Sequence, residues 1–403
     1  MIKNNFFLKE RTRSLHLNND YLKNQSLKFK KIFSEISTDV HDTNKNLNVL
    51  DKNFKFNFNI KDLKKFKKFS TIALIGMGGS ILGAEAIHNF LNKKIKKRVF
   101  FFNNLDEDNL TQFKKKENLS KILFIVISKS GNTIETISNA FSLNIIKKNS
   151  KNVILISEKK NNLLFFLSKK LNLFHLEHKN YIGGRYSVLS EVGLVPAYLM
   201  GIDIFKLRSN IRQFLKKKNK IFLKKSALQL SSLFNSKKYN NLIFLNYSPE
   251  LEKFLYWSQQ LIAESLGKKN KGFLPVISNA PKDHHSLLQL YLDGPKDKLF
   301  YIFSFDKKSK KKLNISNDLL NYLSKKSLST IKNAQKNSLI KSFLNKKIPF
   351  REIKIRKLNE KVLGELFSYF ILETIILGKL SNINPYDQPA VEQIKKYTKQ
   401  LLL

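Results

Sequence analysis

Apolar residues come in unbroken blocks along much of this chain, and the blocks are punctuated by glycine and hydroxyl residues. STIALIGMGGS, over 70–80, reads as a buried strand running into a glycine turn, with a helix starting at about Ile81. RVFFFNN at 98–104 predicts a second strand. KILFIVISKSG at 121–131 predicts a third, followed by the helix TIETISNAFSLNII from Thr133, and NVILIS at 152–157 predicts a fourth. Strands that are apolar throughout and alternate with helices imply a parallel sheet covered on both faces.

The pattern restarts near residue 240. NLIFLNYS is a strand, LEKFLYWSQQLIAESLG a helix, LFYIFSFD and REIKIRKL two further strands, and a long helix covers roughly Glu360–Leu380. The predicted fold class is α/β, with two doubly wound, mainly parallel-sheet domains and helical extensions at both ends. The expected division is a helical N-terminal extension over 1–65, polar and without glycine, then a first α/β domain over 66–205. A helical connection over 206–235, a second α/β domain over 236–380 and a C-terminal segment over 381–403 follow. In open parallel sheets ligands bind at the carboxyl ends of strands, where loops lead into helices. Two of the glycine and hydroxyl turns stand at such places.

Composition narrows the function classes. At 403 residues and 42% hydrophobic content the chain can build substantial cores, which excludes disorder along its whole length. It has no cysteine, so disulfides and thiolate metal sites are out, as a reducing compartment would allow. The first residues, MIKNNFFLKERTRSLHL, lack the apolar centre of a signal peptide, and the expected location is cytoplasmic. LFSYFILETIILG is interrupted by Glu373 and falls short of the ~20 residues that span a bilayer, so it reads as a buried helix. The formal charge of +43 would attract polyanions. Its lysines are spread along the whole chain among Asn, Ile and Phe, as a compositional bias would leave them, and form no recognised nucleic-acid module. The expected partners include no specific nucleic acid and no membrane; an anionic small substrate fits the field better.

The turn Ser128-Lys129-Ser130-Gly131-Asn132-Thr133 precedes a helix whose first turn holds Glu135 and Thr136. Unpaired N–H groups and the macrodipole at a helix start favour an anion, and glycine lets the backbone approach it. The alternative is a plain N-cap by Asn132 or Thr133. Gly76-Met77-Gly78-Gly79-Ser80 lacks the full dinucleotide fingerprint, so a nicotinamide cofactor is disfavoured and a phosphorylated small molecule is the better expectation.

A third turn, Gly183-Gly184-Arg185-Tyr186-Ser187-Val188-Leu189-Ser190, extends the pattern. GGRYSVLS, taken in order with GMGGS and SKSGNTIET, resembles the glucose-6-phosphate isomerase family. QQLIAESLGK resembles that family's glutamate segment, HSLLQLYLDG its histidine segment and NPYDQPAVEQIKK its C-terminal glutamine–lysine helix. The resemblance covers about residues 76–395. It implies two sugar-isomerase-type domains, no metal or other cofactor, and a homodimer in which His285 reaches the neighbouring active site. Carried over by position, Ser128, Lys129, Ser130, Gly131, Asn132 and Thr133 would hold the phosphate, with Thr136 nearby and Gly79 and Ser80 lining the pocket. Arg185 and the Gly184 backbone would lie near the reacting carbons, and Gln260 and Gln388 would touch substrate. Glu264, His285 and Lys395 would carry the proton chemistry.

The implied reaction is reversible isomerisation of glucose 6-phosphate and fructose 6-phosphate through a cis-enediol, a step of glycolysis and gluconeogenesis. Its chemistry suits these residue types. A buried glutamate can act as general base, arginine stays protonated beside a developing oxyanion, and histidine exchanges protons near neutrality. A non-catalytic sugar-phosphate sensor, or an enzyme that also accepts mannose 6-phosphate, would share the phosphate turn. Four positions depart from the family pattern: His284 stands where glutamine is common, Glu191 where a small residue is, and Gln393 and Ile394 before the lysine. The spacing to Gln289 selects His285 over His284, and the register selects Lys395 over Lys396. Read without the resemblance, Arg185 would simply pair with a carboxylate such as Glu191.

Overall fold

The computed structural model describes residues 6–305, 309, 311–315 and 318–403. Two five-stranded sheets form the frame. The first contains β2 (Thr71–Gly76), β3 (Arg98–Phe102), β4 (Ile122–Ile127), β5 (Val153–Ser157) and β6 (Phe174–Glu177), in the order β3-β2-β4-β5-β6 and parallel throughout. β2, β4 and β5 are buried at every position, which is why their sequences show no alternation. From β2 the chain runs outward to β3 and then returns to β4 on the other side. The turns after β2 and β4 therefore stand at the switch point of the sheet, where the crossovers leave toward opposite sides and open parallel sheets bind ligands.

The second sheet contains β1 (Phe6–Glu10), β7 (Asn241–Asn246), β8 (Leu274–Asn279), β9 (Lys298–Phe305) and β10 (Phe350–Ile355), in the order β1-β10-β9-β7-β8. All its neighbours are parallel except β1, which lies antiparallel to β10.

Three strands fall outside the sequence expectation. β1 lies in the stretch expected to be helical; there Phe6 is buried against Phe214 and Tyr369, so tertiary packing overrides local composition. β6 has only two apolar residues, Phe174 and Leu176, and forms a sheet edge. β8 carries Pro275, a residue that argues against a central strand but is tolerated here at the edge. The helix Leu328–Asn345 between β9 and β10 also lies outside that expectation.

The long helix Glu360–Leu380 is buried on nearly every side. Its Glu373 is 2.8 Å from Arg351 of β10 and accepts hydrogen bonds from Tyr369 (2.7 Å) and Ser226 (2.6 Å). Arg351 also pairs with Glu10, so the N-terminal strand is held by charge as well as by the ladder. The stretch 206–235 is largely helical, with Lys217–Asn235 packed against Glu360–Leu380. Among the described residues no helix is long and apolar enough to cross a membrane.

Candidate active site

The site grows from the switch point of the first sheet. Gly76 and Ile127 end adjacent parallel strands, so the turns 77–80 and 128–133 leave the sheet side by side. The first turn packs on the GGRYSVLS turn so closely that a Cβ on Gly79 would lie 2.3 Å from the Gly184 carbonyl carbon; only glycine fits. On its other side Gly78 faces Gln260, whose Nε2 would be 2.7 Å from a Cβ there. The glycines thus serve the close approach of three segments.

In the second turn the side chains divide into two groups. Ser128 is buried, with its Oγ 2.8 Å from Thr133 Oγ1 and 3.5 Å from Ser130 Oγ. Thr133 stands at the start of the helix Ile134–Ser142, but its side chain makes no cap hydrogen bond. The plain N-cap offered as the alternative is not formed: the Thr133 hydroxyl is turned to Ser128, which leaves the first N–H groups of the helix without a side-chain cap and suited to an anion. Lys129 and Asn132 brace the turn. Lys129 Nζ donates to the Asn180 carbonyl (2.8 Å) and lies 3.7 Å from Glu158, and burial lowers its pKa. Asn132 Oδ1 accepts from the Leu163 amide at 2.8 Å. Gly131 has φ +66°, and a Cβ there would lie 1.8 Å from Asn162 Oδ1. Thr136 is fully buried, and its hydroxyl has no partner among the described residues.

Arg185 is the hub. It is 3% exposed and makes five hydrogen bonds: Nε to Ser265 Oγ (2.9 Å), Nη1 to Glu264 (3.2 Å) and Gln388 Oε1 (2.6 Å), and Nη2 to the carbonyls of Pro385 (2.7 Å) and Asp387 (3.0 Å). Its carboxylate partner is therefore Glu264. Glu191, the alternative, is buried elsewhere, where it accepts from the Asn57 amide at 2.8 Å and burial raises its pKa. Arg185 is also near enough to Lys129 for its charge to contribute to lowering that lysine's pKa, which ties hub and turn together.

Glu264 lies near the end of the helix Glu252–Leu266, half-buried, with Gln260 one turn earlier donating Nε2 to it at 2.9 Å. Gln260 Oε1 is buried and unpartnered among the described residues. Gln388, Glu264, Gln260 and Arg185 thus form one polar group beside turns 78–80 and 183–185.

Two expected residues stand apart from that group within the single chain. His285 follows β8, is exposed, and its ring makes no hydrogen bond among the described residues. His284 instead bonds the Tyr247 hydroxyl at 2.6 Å, with burial lowering its pKa, and lines an apolar groove of about 440 Å³ with Leu288, Leu292 and Leu339. Lys395 lies on the exposed helix Val391–Leu401, paired with Glu392 at 2.6 Å.

Sequence reasoning missed several residues of the neighbourhood. Ser265 and Tyr186 bond one another at 2.8 Å, and Tyr186 donates to the Pro385 carbonyl at 2.6 Å. Lys268 is 2.8 Å from Asp387. Asn46 accepts from the Gly183 amide at 2.5 Å, so the N-terminal region touches the site rather than lying at the periphery. Lys268 and Asp387 are charged residues inside the quoted QQLIAESLGK and NPYDQ segments, a signal that was available; Asn46 gave none.

The chain matches the family described as phosphoglucose isomerase over residues 23–277. A probable glucose-6-phosphate isomerase of Methanococcus maripaludis is 34% identical over 370 residues, covering 88% of this chain and 83% of the relative. The glucose-6-phosphate isomerase of Methanocaldococcus jannaschii is 33% identical over 358 residues, covering 85% and 87%. Among solved structures, a hypothetical protein of Thermus thermophilus superposes with a TM-score of 0.83 at 22% identity, covering 98% of this chain and 100% of that one. A glucose-6-phosphate isomerase of Chlamydia trachomatis superposes with a TM-score of 0.79 at 18% identity, covering 99% and 88%, a likeness of fold.

Proposed function

This chain belongs to the phosphoglucose isomerase family, and from that premise we propose how its residues divide the work of the reaction. It is an aldose–ketose isomerase that interconverts D-glucose 6-phosphate and D-fructose 6-phosphate. The hydroxyls of Ser128, Ser130 and Thr133 and the open N–H groups before and within the first turn of the helix Ile134–Ser142 hold the phosphate. Lys129, Gly131 and Asn132 keep that turn in shape. Gly79, Ser80 and the Gly184 backbone line the pocket, and Gln260 and Gln388 hold sugar hydroxyls.

Glu264 is the base. It takes the proton from C2 of the open aldose, and the electron pair moves to the carbonyl oxygen O1 to give a cis-enediolate. A proton then passes from O2 to O1, and Glu264 returns its proton to C1 as the C2 carbonyl of the ketose forms. General-base catalysis of this kind typically contributes about 10²–10⁴-fold. Arg185 stabilises the enediolate oxygen, because a guanidinium carries a fixed positive charge that does not compete for the proton. Its hydrogen bonds to both Glu264 and Gln388 are the observation that carries this reading. They support a reading in which base, electrostatic stabiliser and substrate amide act together.

Ring opening falls to His285 and Lys395. His285 acts from the neighbouring subunit of a homodimer, a reading supported by its exposure and by its separation from the Arg185 group within one chain. The exposed apolar row Val391, Ile394 and Leu401 on the last helix supports a partner surface in that region. The step serves glycolysis and gluconeogenesis in the cytoplasm.

The test is a coupled assay on fructose 6-phosphate with Glu264→Gln. Turnover should fall by at least about 10²-fold while titration calorimetry still detects sugar-phosphate binding. Retained turnover would reject Glu264 as the base.

A further inference from the structure

The last helix, Val391–Leu401, buries none of its residues. Its position is therefore set at its root, the loop 384–388, rather than by packing along its length. That loop is gripped from two sides. On one side Arg185 donates to the carbonyls of Pro385 and Asp387, and Tyr186 donates to that of Pro385. On the other side stands Lys268, two residues past the end of the helix Glu252–Leu266 that bears Glu264. Its ammonium donates to the carbonyls of Ser265 (3.2 Å) and Asn384 (2.6 Å) and pairs with Asp387 Oδ1 at 2.8 Å. Asn384 Nδ2 then closes the ring by donating to Asp387 Oδ2 at 2.9 Å. The lysine side chain is 13% exposed and the Asp387 side chain 50%, so the ion pair itself is partly solvated and the lysine is held chiefly by its bonds to the Ser265 and Asn384 carbonyls. A cation at a helix C-terminus is also favoured by the macrodipole.

We propose that Lys268 is a positioning residue: it latches the 384–388 loop to the end of the glutamate helix and so fixes where Gln388 and Lys395 stand relative to Glu264. The inference rests on the assignment of Glu264 and Lys395 given above. Lys395 lies four residues into the helix that starts at Val391, about 6 Å along an axis rising 1.5 Å per residue. A tilt of about 10° at the root would displace it by about 1 Å, and a 1 Å misplacement already costs up to about 10²-fold in rate.

The experiment compares Lys268→Met, Lys268→Arg and Asp387→Asn with the wild type by coupled assay and by hydrogen exchange over 384–401. Lys268→Met should lower kcat by about 10- to 100-fold and change KM for fructose 6-phosphate less than about threefold, because the phosphate turn is separate. Amide exchange over 384–401 should quicken at least about tenfold while 128–142 stays as in the wild type. Lys268→Arg should recover most of both quantities. Asp387→Asn, which leaves the Ser265 and Asn384 bonds in place, should shift both in the same direction and keeps the test open if Lys268→Met does not fold. Faster exchange with unchanged kcat, or lower kcat with unchanged exchange, would overturn the proposal. If the wild type fails to interconvert the sugars, the functional reading falls, and exchange alone still decides whether Lys268 holds the loop.

Discussion

Gly131→Ala should damage the phosphate turn by a route that the structure lets one itemise. Gly131 holds φ +66°, and its new Cβ would lie 1.8 Å from Asn162 Oδ1 and 2.9 Å from Asn162 Cβ. The left-handed backbone costs a non-glycine residue about 1 kcal/mol. Asn162 must also swing away, and it is the N-cap of the helix Leu163–Lys170, accepting from the Phe165 amide at 3.0 Å. Losing that cap costs about 1 kcal/mol. Its Nδ2 donates to the Glu158 carbonyl at 2.8 Å, a buried bond worth about 1 kcal/mol.

The expected loss is therefore about 3 kcal/mol, read from urea unfolding followed by the fluorescence of the single tryptophan, Trp257, which is buried. In the Asn162→Gly background the obstacle is gone, and Gly131→Ala should then cost only the backbone strain of about 1 kcal/mol. Because the turn carries the anion-facing N–H groups, KM for fructose 6-phosphate should rise about tenfold, with a smaller effect on kcat. A loss below about 1 kcal/mol, or equal losses in the two backgrounds, would refute the clash argument. An unchanged KM would refute the role given to the turn.

Three further outcomes follow from the same geometry. Arg185→Lys keeps the charge, but an ammonium has three donors for the five acceptors now served; turnover should fall at least about 10²-fold and stability by about 2–4 kcal/mol, and activity within about threefold of wild type would contradict the hub. His178 is wholly buried, and burial together with the Lys129 charge lowers its pKa to about 4. The fold holds it neutral, so stability is full above about pH 6.5 and falls by about 3 kcal/mol as pH drops to about 4; His178→Gln should flatten that slope in urea titrations across the window. Lys395→Ala should lower turnover by at least about 10²-fold and Lys396→Ala by less than about twofold, since helical spacing puts only Lys395 beside the row of Val391 and Ile394; the reverse result would move the role to Lys396.

Much of the frame is legible because burial on both faces leaves a one-dimensional trace. β2, β4, β5, β7 and β9 show as uninterrupted apolar runs, and the helix Glu360–Leu380 shows by its length. The strands outside the expectation, β1, β6 and β8, are edges, where less apolar sequence is needed and a proline is tolerated. At the site, the three turn motifs and Glu264 stand out as residue types at strand ends. The direction of each side chain does not. Lys129 and Asn132 stand in the turn as residue types suited to phosphate, and only the structure shows that Lys129 also reaches the Asn180 carbonyl and Asn132 the Leu163 amide. Glu191 looks like the partner of Arg185, yet it serves Asn57.

What the sequence determined alone was therefore local and periodic: parallel strands, their terminal turns, and the residue types suited to an anion and a proton transfer. Tertiary structure decided which of those residues meet. Arg185 reaches Glu264 across 79 positions and Gln388 across 203, and Lys268 reaches Asp387 from a separate element. Such contacts depend on how packed elements cross in space, and no period or spacing along the chain encodes that approach.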